Sequence, residues 1–389
     1  LSFLLAAWLV VGALFFGVPA AYFVYMKKRS DAGWNLNLDQ SYVPSTAVLI
    51  PVHNEEKVIR LKLENISRVV YPKDKMEIII ANDHSTDGTL TEINQYLAAH
   101  PEMNLKVFDC PIHLGKTECL NKALKTLRSD VVVISDVDCF WPSDILTNAL
   151  SYLSDPMVGA ITARELLLNP ADSWVTMGEQ FYDKNIQSVR IGESKLHSTI
   201  FFQGGFAAYK RSDLSEFNHA TDDSGTALDI VQSNKRTLLI PEIGFFTISP
   251  TTWKSKIAIK IRRASHLQHL WARCLNLLMH GKLAMPKRIA IPEIILHIFN
   301  PPLLVALAAL TLWVAFAYPL LGLTLAAGIV AVFAVKKSRT SALELLQSNL
   351  ILLWSLSSFI VNRKFTFWKP AAESRSALTE AMLRENKLI

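Results

Sequence analysis

The run VVVISDVDC ends in two carboxylates one residue apart, Asp136 and Asp138, at the point where an apolar strand should stop. Side chains alternate along an extended segment, so both acids are expected on one face with Val137 turned inward. Like charges this close need a positive partner. Three polar clusters precede them, each at or just after the end of a short apolar run: PVHNEE at 51–56, ANDHSTDGT at 81–89 and HLGKTECLN at 113–121. Taken singly, each reads as an ordinary turn, because Asn54, Ser85 and Thr86 are capping residues and Asp87-Gly88 is a common turn pair. Further on, ATDDSGTAL at 220–228 holds Asp222 and Asp223 where a helix should begin, with Leu228 and Ile230 as its packing residues. Between them, QGGFAAYKR at 203–211 offers Gly204 and Gly205, which let backbone approach a ligand closely or simply make a turn.

What would gather these clusters is an alternation of strands and helices. TAVLIPV precedes a helix from about Glu55 to Val69, MEIIIAND one from about Thr89 to Ala99, LKVFD one from Lys116 to Leu127, and VVVISDVD follows. Repeated units of this length imply a parallel, buried sheet, and ligands bind such sheets at the carboxyl ends of the strands. Four polar clusters at one edge of one sheet are expected to form a site.

In this order and at these intervals, PVHNEE, NDHSTDGT, LGKTECLNKAL and DVD resemble the nucleotide-sugar half of the family-2 inverting glycosyltransferases, over roughly Val48 to Pro241. ATDDSGTAL is similar to the TED-x-x-TAL stretch of the membrane cellulose, hyaluronan and chitin synthase-like group, with Asp222 where glutamate is usual. The resemblance implies an α/β GT-A fold, a Rossmann-like, mostly parallel sheet, and a metal-dependent hexosyltransferase using a nucleotide sugar, UDP-linked by analogy. It implies donor-nucleotide contacts from Pro51, Asn54, Glu55, Asp83, Lys116 and Asp136, with Asp83 accepting the uracil ring N–H and Lys116 near the phosphates. Asp136 and Asp138 would hold Mg or Mn, Asp138 being the preferred ligand. Asp223 would take the acceptor proton, with Asp222 beside it, and Gly204 and Gly205 would lie by the acceptor. Asn82 and His84 stand where acidic and small residues are more usual, which leaves base selectivity open. Processive relatives carry Gln-Arg-x-Arg-Trp before the membrane. Here IKIRRASHL keeps the basic positions as Lys260 and Arg262, while Ile259 and Arg263 replace Gln and Trp. Arg262 would grip the pyrophosphate, a solvated basic face being the alternative, and the missing tryptophan argues against long-chain synthesis. The acceptor would be a growing polysaccharide or a lipid-linked glycan. A polyprenyl phosphate is the alternative acceptor, and a non-catalytic donor-binding or scaffold subunit of a glycan-assembly complex is the rival from another class.

The composition adds a membrane. Half the residues are hydrophobic, and the formal net charge is +6. No stretch interleaves basic and aromatic residues as nucleic-acid surfaces do, so anionic lipid and a phosphate-bearing substrate are the expected partners, with self-association open. Residues 1–26 carry no charge and are followed by Lys27, Lys28 and Arg29. About 20 apolar residues cross a bilayer, so an anchor is expected rather than a signal peptide, with the polar centre of the chain in the cytoplasm. Residues 300–335 exceed one crossing and are broken at Tyr318-Pro319, so two helices are expected, returning Lys336, Lys337 and Arg339 to the cytoplasmic side. The stretch 343–362 contains Glu344, Gln347 and Asn349 and has basic residues on both flanks, which favours an interfacial or re-entrant helix. Residues 253–292 hold nine Lys or Arg and no acid. Trp253, Ile257, Ile261, Ala264, Leu267, Trp271, Leu275 and Leu278 line one helical face there, as in a helix lying on a membrane surface. The expected order is thus an anchor at 1–26, a glycosyltransferase domain at 44–250, amphipathic helices at 251–296, membrane helices at 297–362 and a cytoplasmic tail at 363–389, in a multi-pass cell-membrane protein. The four cysteines lack metal-ligand spacing and are expected to be reduced packing residues.

Overall fold

The computed structural model describes residues 2–219, 221–360, 375 and 377–389. They fall into two compact units, Leu1–Lys28 with Lys256–Phe365, and Arg29–Ser255 with Thr366–Ile389. The chain opens with helix α1 (Ser2–Gly12), a π-helical turn at Ala13–Gly17 and α2 (Val18–Ser30). Phe3–Ser30 is long and apolar enough to cross a membrane.

The second unit is built on one seven-stranded sheet. Its first half follows the expected alternation: β1 (Thr46–Val52), α3 (Ile59–Ser67), β2 (Met76–Asn82), α4 (Thr89–Ala99), β3 (Leu105–Asp109), α5 (Lys116–Leu124) and β4 (Val131–Ile134). All residues of β1 and β4 are buried. This is why these segments read as continuous apolar runs rather than as alternating ones. Val48, Ile50 and Val52 share a face of β1 and belong to one core with Ile59, Leu63 and Ile66 of α3. Several boundaries differ from expectation, and α5 stops at Leu124 rather than Leu127. The first helix begins at Ile59, because Asn54 adopts a left-handed φ of 56° and Val58 and Ile59 both donate to the Glu55 carbonyl. The fourth strand stops at Ile134, before the DVD triplet.

Next come α6 (Ile145–Leu150), β5 (Val158–Leu167), α7 (Trp174–Leu196), β6 (Ala207–Lys210), α8 (Asp222–Gln232) and β7 (Arg236–Thr247). The strand order is β3-β2-β1-β4-β6-β5-β7; β6 is antiparallel to both neighbours and the other pairings are parallel. α7 starts at a capping box on Ser173 and Thr176. Leu228 and Ile230 of α8 are buried, as its apolar positions require.

In the first unit, α9 (Trp253–Met279) and α10 (Lys287–Ile294) lead through a π-helical turn at Ile295–Phe299 into α11 (Asn300–Ala317), α12 (Pro319–Ala334) and α13 (Lys336–Ile360). Trp8 of α1 donates to Thr311 of α11 (2.9 Å). The break falls at Tyr318, where Pro319 removes a backbone donor. Lys287–Ala317 is the second helix long and apolar enough to cross a membrane. Pro319–Ala334 and Ser338–Leu356 meet at 107°, a broken span or a re-entrant pair.

The buried side of α9 shares Ala264 and Trp271 with the expected apolar line but also takes in polar residues. Lys256, Ala264, Gln268, Trp271 and Cys274 are covered, while Trp253 is exposed. Lys256, and Lys260 beside it, approach Glu344 of α13 at 3.9 and 3.8 Å, and Gln268 donates to the Leu352 carbonyl (2.7 Å). Glu344 therefore stands opposite the buried Lys256 and the half-buried Lys260.

The stretch expected as a tail is described only at 375 and 377–389; Arg363 and Lys364, the basic flank of the 343–362 stretch, lie outside the described residues. Helix α14 (Glu380–Glu385) and the C-terminal residues pack on the sheet domain. Leu383, Leu388 and Ile389 join the core of β1 and α3, and Asn65 donates to the Leu388 carbonyl (2.8 Å). All four cysteines are free and buried.

Candidate active site

The DVD triplet lies in a turn, not on a strand. Asp136 donates its amide to Gly204 O (2.7 Å), and Cys139 donates back to Asp136 O (3.2 Å). Strand alternation therefore does not set the direction of the two acids, but the turn still brings them together. The Asp136 and Asp138 carboxylates and the Cys139 sulfur lie within 4.8 Å of one another, and Val137 is buried.

One lysine joins this turn to the candidate base. Lys116 opens α5 after Gly115, whose φ of 88° suits glycine. Its Nζ is 2.7 Å from Asp136 Oδ1 and 3.9 Å from Asp223 Oδ2. Asp223 sits in the first turn of α8, its side chain 12% exposed. Three clusters far apart in sequence thus converge on a single ammonium. Asp222 opens the same helix; its side chain lies outside the described residues.

Glu55 lies beneath the acidic pair. It is 1% exposed, and Arg375, from the C-terminal segment, pairs with its Oε1 while standing 3.7 Å from Asp138 Oδ2. Burial pushes the Glu55 carboxyl up to about 8; Arg375 opposes this, and Asp138 and Asp136 add to it. Asp138 is likewise raised by burial, with Arg375 opposing and Asp136 adding. Glu55 Oε2 is buried with no hydrogen-bond partner among the described residues. Two converging carboxylates beside an unmatched buried oxygen are a hard-oxygen donor set, and this fits Mg or Mn.

Arg375 had no sequence signal, since nothing around it marks it as a partner of a residue 320 positions away. Breaking a buried ion pair from one side costs about 3–5 kcal/mol. Arg375→Gln is therefore expected to lower the denaturation midpoint of the detergent-solubilised protein. The penalty fades as pH falls below the raised Glu55 range, near 8, because a protonated carboxyl needs no cation, and it is full only above the still higher range the carboxyl takes once Arg375, which lowers it, is gone. A midpoint shift independent of pH contradicts this pairing.

The edge of β1 and β2 forms the other wall. Asp83 is buried and accepts from the Leu114 and Gly115 amides (2.7 and 2.8 Å) and from His113 Nδ1 (2.9 Å). His53 and His113 stack with ring centroids 4.1 Å apart, and His53 Nδ1 lies 2.8 Å from the Asp83 carbonyl. Neither histidine was singled out in the sequence, although both lie inside the quoted clusters. Asn54 takes the Thr86 amide on its side chain (2.8 Å) and gives its own amide to Ser85 (3.0 Å), so these residues lace two loops together rather than cap the helices, whose N-caps are Val58 and Gly88. Pro51 is buried in β1 opposite Ala81.

The glycine pair serves the protein's own atoms. A Cβ on Gly204 would stand 2.5–2.8 Å from the Asp136 carboxylate, and one on Gly205 would strike the Phe245 ring at 2.1–2.6 Å. The close approach expected of a ligand is made by Asp136. Gly204→Ala is expected to displace that carboxylate, and overpacking of this kind costs about 1–3 kcal/mol. Its signature is a rise in the donor KM larger than the fall in melting temperature warrants; unchanged donor kinetics would contradict it. Lys260, expected at the pyrophosphate, carries the Glu344 ion pair described above, while Arg262 lies two residues on in α9 and is half-buried.

The comparisons agree with this geometry. Residues 47–217 match the model of Glycosyl transferase family 2. The solved mannosyltransferase PcManGT from Pyrobaculum calidifontis, in complex with GDP-Man and Mn2+, superposes with a TM-score of 0.78 at 30% identity, covering 93% of this chain and all of that one. The probable glycosyltransferase YdaM of Bacillus subtilis is 29% identical over 242 residues, 58% of this chain and 56% of YdaM. The beta-monoglucosyldiacylglycerol synthase of Synechocystis is 29% identical over 151 residues, 38% of this chain and 32% of the synthase. The chain thus spans about half or less of the curated relatives it matches. With a relative this similar over its whole length and the family's motifs gathered at one sheet edge, the chain belongs to glycosyl transferase family 2, on a GT-A fold.

Proposed function

We propose that this chain is a metal-dependent, inverting glycosyltransferase of a membrane surface, moving a hexose from a nucleoside diphosphate sugar to a hydroxyl of a lipid-linked or polysaccharide acceptor. The observation that carries the reading is the single Lys116 ammonium set between Asp136 and Asp223. It puts a carboxylate able to take a proton beside the turn suited to the donor's diphosphate.

In this reading Asp223 accepts the proton of the acceptor hydroxyl as that oxygen attacks the anomeric carbon. The bond from that carbon to the diphosphate oxygen breaks, and the diphosphate leaves with the electron pair. Lys116 neutralises part of the developing charge. Asp136 and Asp138 would hold Mg or Mn, which when bound supplies positive charge to the leaving diphosphate. Asp83 and the stacked His53 and His113 face the nucleoside. The relative matched along its whole length was solved with GDP-Man, so GDP-mannose joins the UDP-sugars as a donor to try first. The apolar helices Phe3–Ser30 and Lys287–Ala317 support membrane attachment, with Lys27, Lys28 and Arg29 directing the catalytic domain to the cytoplasmic side. Arg262 remains a proposed pyrophosphate contact.

The test is to incubate the purified chain in lipid nanodiscs with GDP-mannose or UDP-sugars and Mg or Mn, with lipid-linked acceptors, following free nucleoside diphosphate and product mass. Metal-dependent release with a one-hexose mass gain is expected, and a ladder of masses would indicate processive synthesis. No release from any donor would overturn the reading.

A further inference from the structure

Lys62 places an ammonium inside the core. It lies on the inner side of α3 among Ile59, Leu63 and Ile66, and it is 0% exposed. A buried charge is retained only where it is well matched. Here the Nζ donates to Ser135 Oγ (2.6 Å) and to the Cys139 carbonyl, and it stands 4.9 Å from the Trp141 ring centroid. Ser135 and Cys139 are the residues directly before and after Asp136-Val137-Asp138. One cation therefore ties both ends of the turn that carries the two acids.

The same anchor reaches the strut behind Asp136. Ser135 Oγ is 3.4 Å from the Gly205 carbonyl, which also accepts from Trp141 Nε1 (2.7 Å), and the adjacent Gly204 carbonyl holds the Asp136 amide. Burial pulls the Lys62 ammonium down to about 8, while Cys139, Asp136 and Asp138 push it back up. The lysine and the acids therefore interact electrostatically as well as through the turn.

We propose that Lys62 is a positioning residue that clamps the DVD turn from within the core, holding the Asp136 and Asp138 carboxylates close together before a divalent cation or donor arrives. Two carboxylates this near repel each other, and a turn free at its ends relieves the repulsion by opening. A clamp on both ends, made by a positive charge, opposes that relief mechanically and electrostatically. This inference rests on the metal reading of Asp136 and Asp138.

The test uses the full chain in nanodiscs, with Mn2+ alone as the probe. Mn2+ affinity is measured by calorimetry or by loss of the free-ion paramagnetic resonance signal, alongside melting temperature and donor kinetics. Lys62→Met, which keeps the length and loses the charge, is expected to weaken Mn2+ binding by about 10–100-fold, the size seen when groups behind metal ligands are removed. The donor KM should rise more than kcat falls. Ser135→Ala removes one of the two anchors and should shift Mn2+ affinity in the same direction by a smaller factor; it decides the matter if Lys62→Met does not fold. Wild-type Mn2+ affinity in a folded Lys62→Met protein, or in Ser135→Ala when that variant is the one tested, overturns the clamp. Wild-type protein that binds no Mn2+ overturns the metal reading itself, and the clamp with it.

Discussion

Replacing Asp223 by Asn is expected to abolish sugar transfer while donor binding stays near the wild-type level. The amide keeps the size and polarity of the carboxylate in the first turn of α8 but cannot take a proton from the acceptor hydroxyl. Removing a positioned base costs about 10²–10⁴ in rate. Lys116 keeps its closer partner, Asp136 at 2.7 Å, so the donor side of the site should hold its shape. Stopped assays of nucleoside diphosphate release, paired with donor titration, separate the two effects. Near-normal turnover in Asp223→Asn removes it from the base role; the same substitution at Asp222 then becomes the decisive comparison.

Asp138→Ala should act on the other half of the reaction. The variant loses one of the two acids that would hold the metal, so donor affinity and metal dependence should fall together. Charge stabilisation by a bound metal is worth several kcal/mol, which corresponds to at least about two orders of magnitude in kcat/KM. Folding should not suffer in parallel. Burial pushes the Asp138 carboxyl up, Arg375 opposes this and Asp136 adds to it, so the alanine removes both a costly charge and one partner of Arg375. The expected result is a melting temperature near wild type, with Mn2+ no longer restoring activity. A Mn2+ titration curve that overlays the wild type would contradict the assignment.

Much of this architecture was readable from residue pattern alone. The first βα units follow from buried apolar runs separated by amphipathic stretches, and the polar clusters fall at the strand ends because that is where a parallel sheet opens to ligands. Local pattern failed where a side chain's environment comes from elsewhere in the chain. VVVISDVD reads as one strand, yet β4 ends at Ile134, because Asp136 is drawn to the Gly204 carbonyl and the chain turns. Gly204 and Gly205 read as room for a ligand, and the room is filled by Asp136 and Phe245. Arg375 reads as one more basic residue near the end of the chain, and only the return of the C-terminal segment to the sheet domain brings it to Glu55. On α9 the placing of Lys256 follows the same rule. Local pattern does not mark Lys256 as buried, and Glu344, on a helix far along the sequence, stands opposite it and Lys260.

The most direct measurement is an experimental structure of the chain with Mn2+ and a non-transferable donor analogue, in which manganese is located by its anomalous signal. The ion is expected at the Asp136 and Asp138 carboxylates and against the diphosphate, with the anomeric carbon open toward Asp223. Manganese or donor bound away from that turn, with Asp223 turned from the sugar, would contradict it.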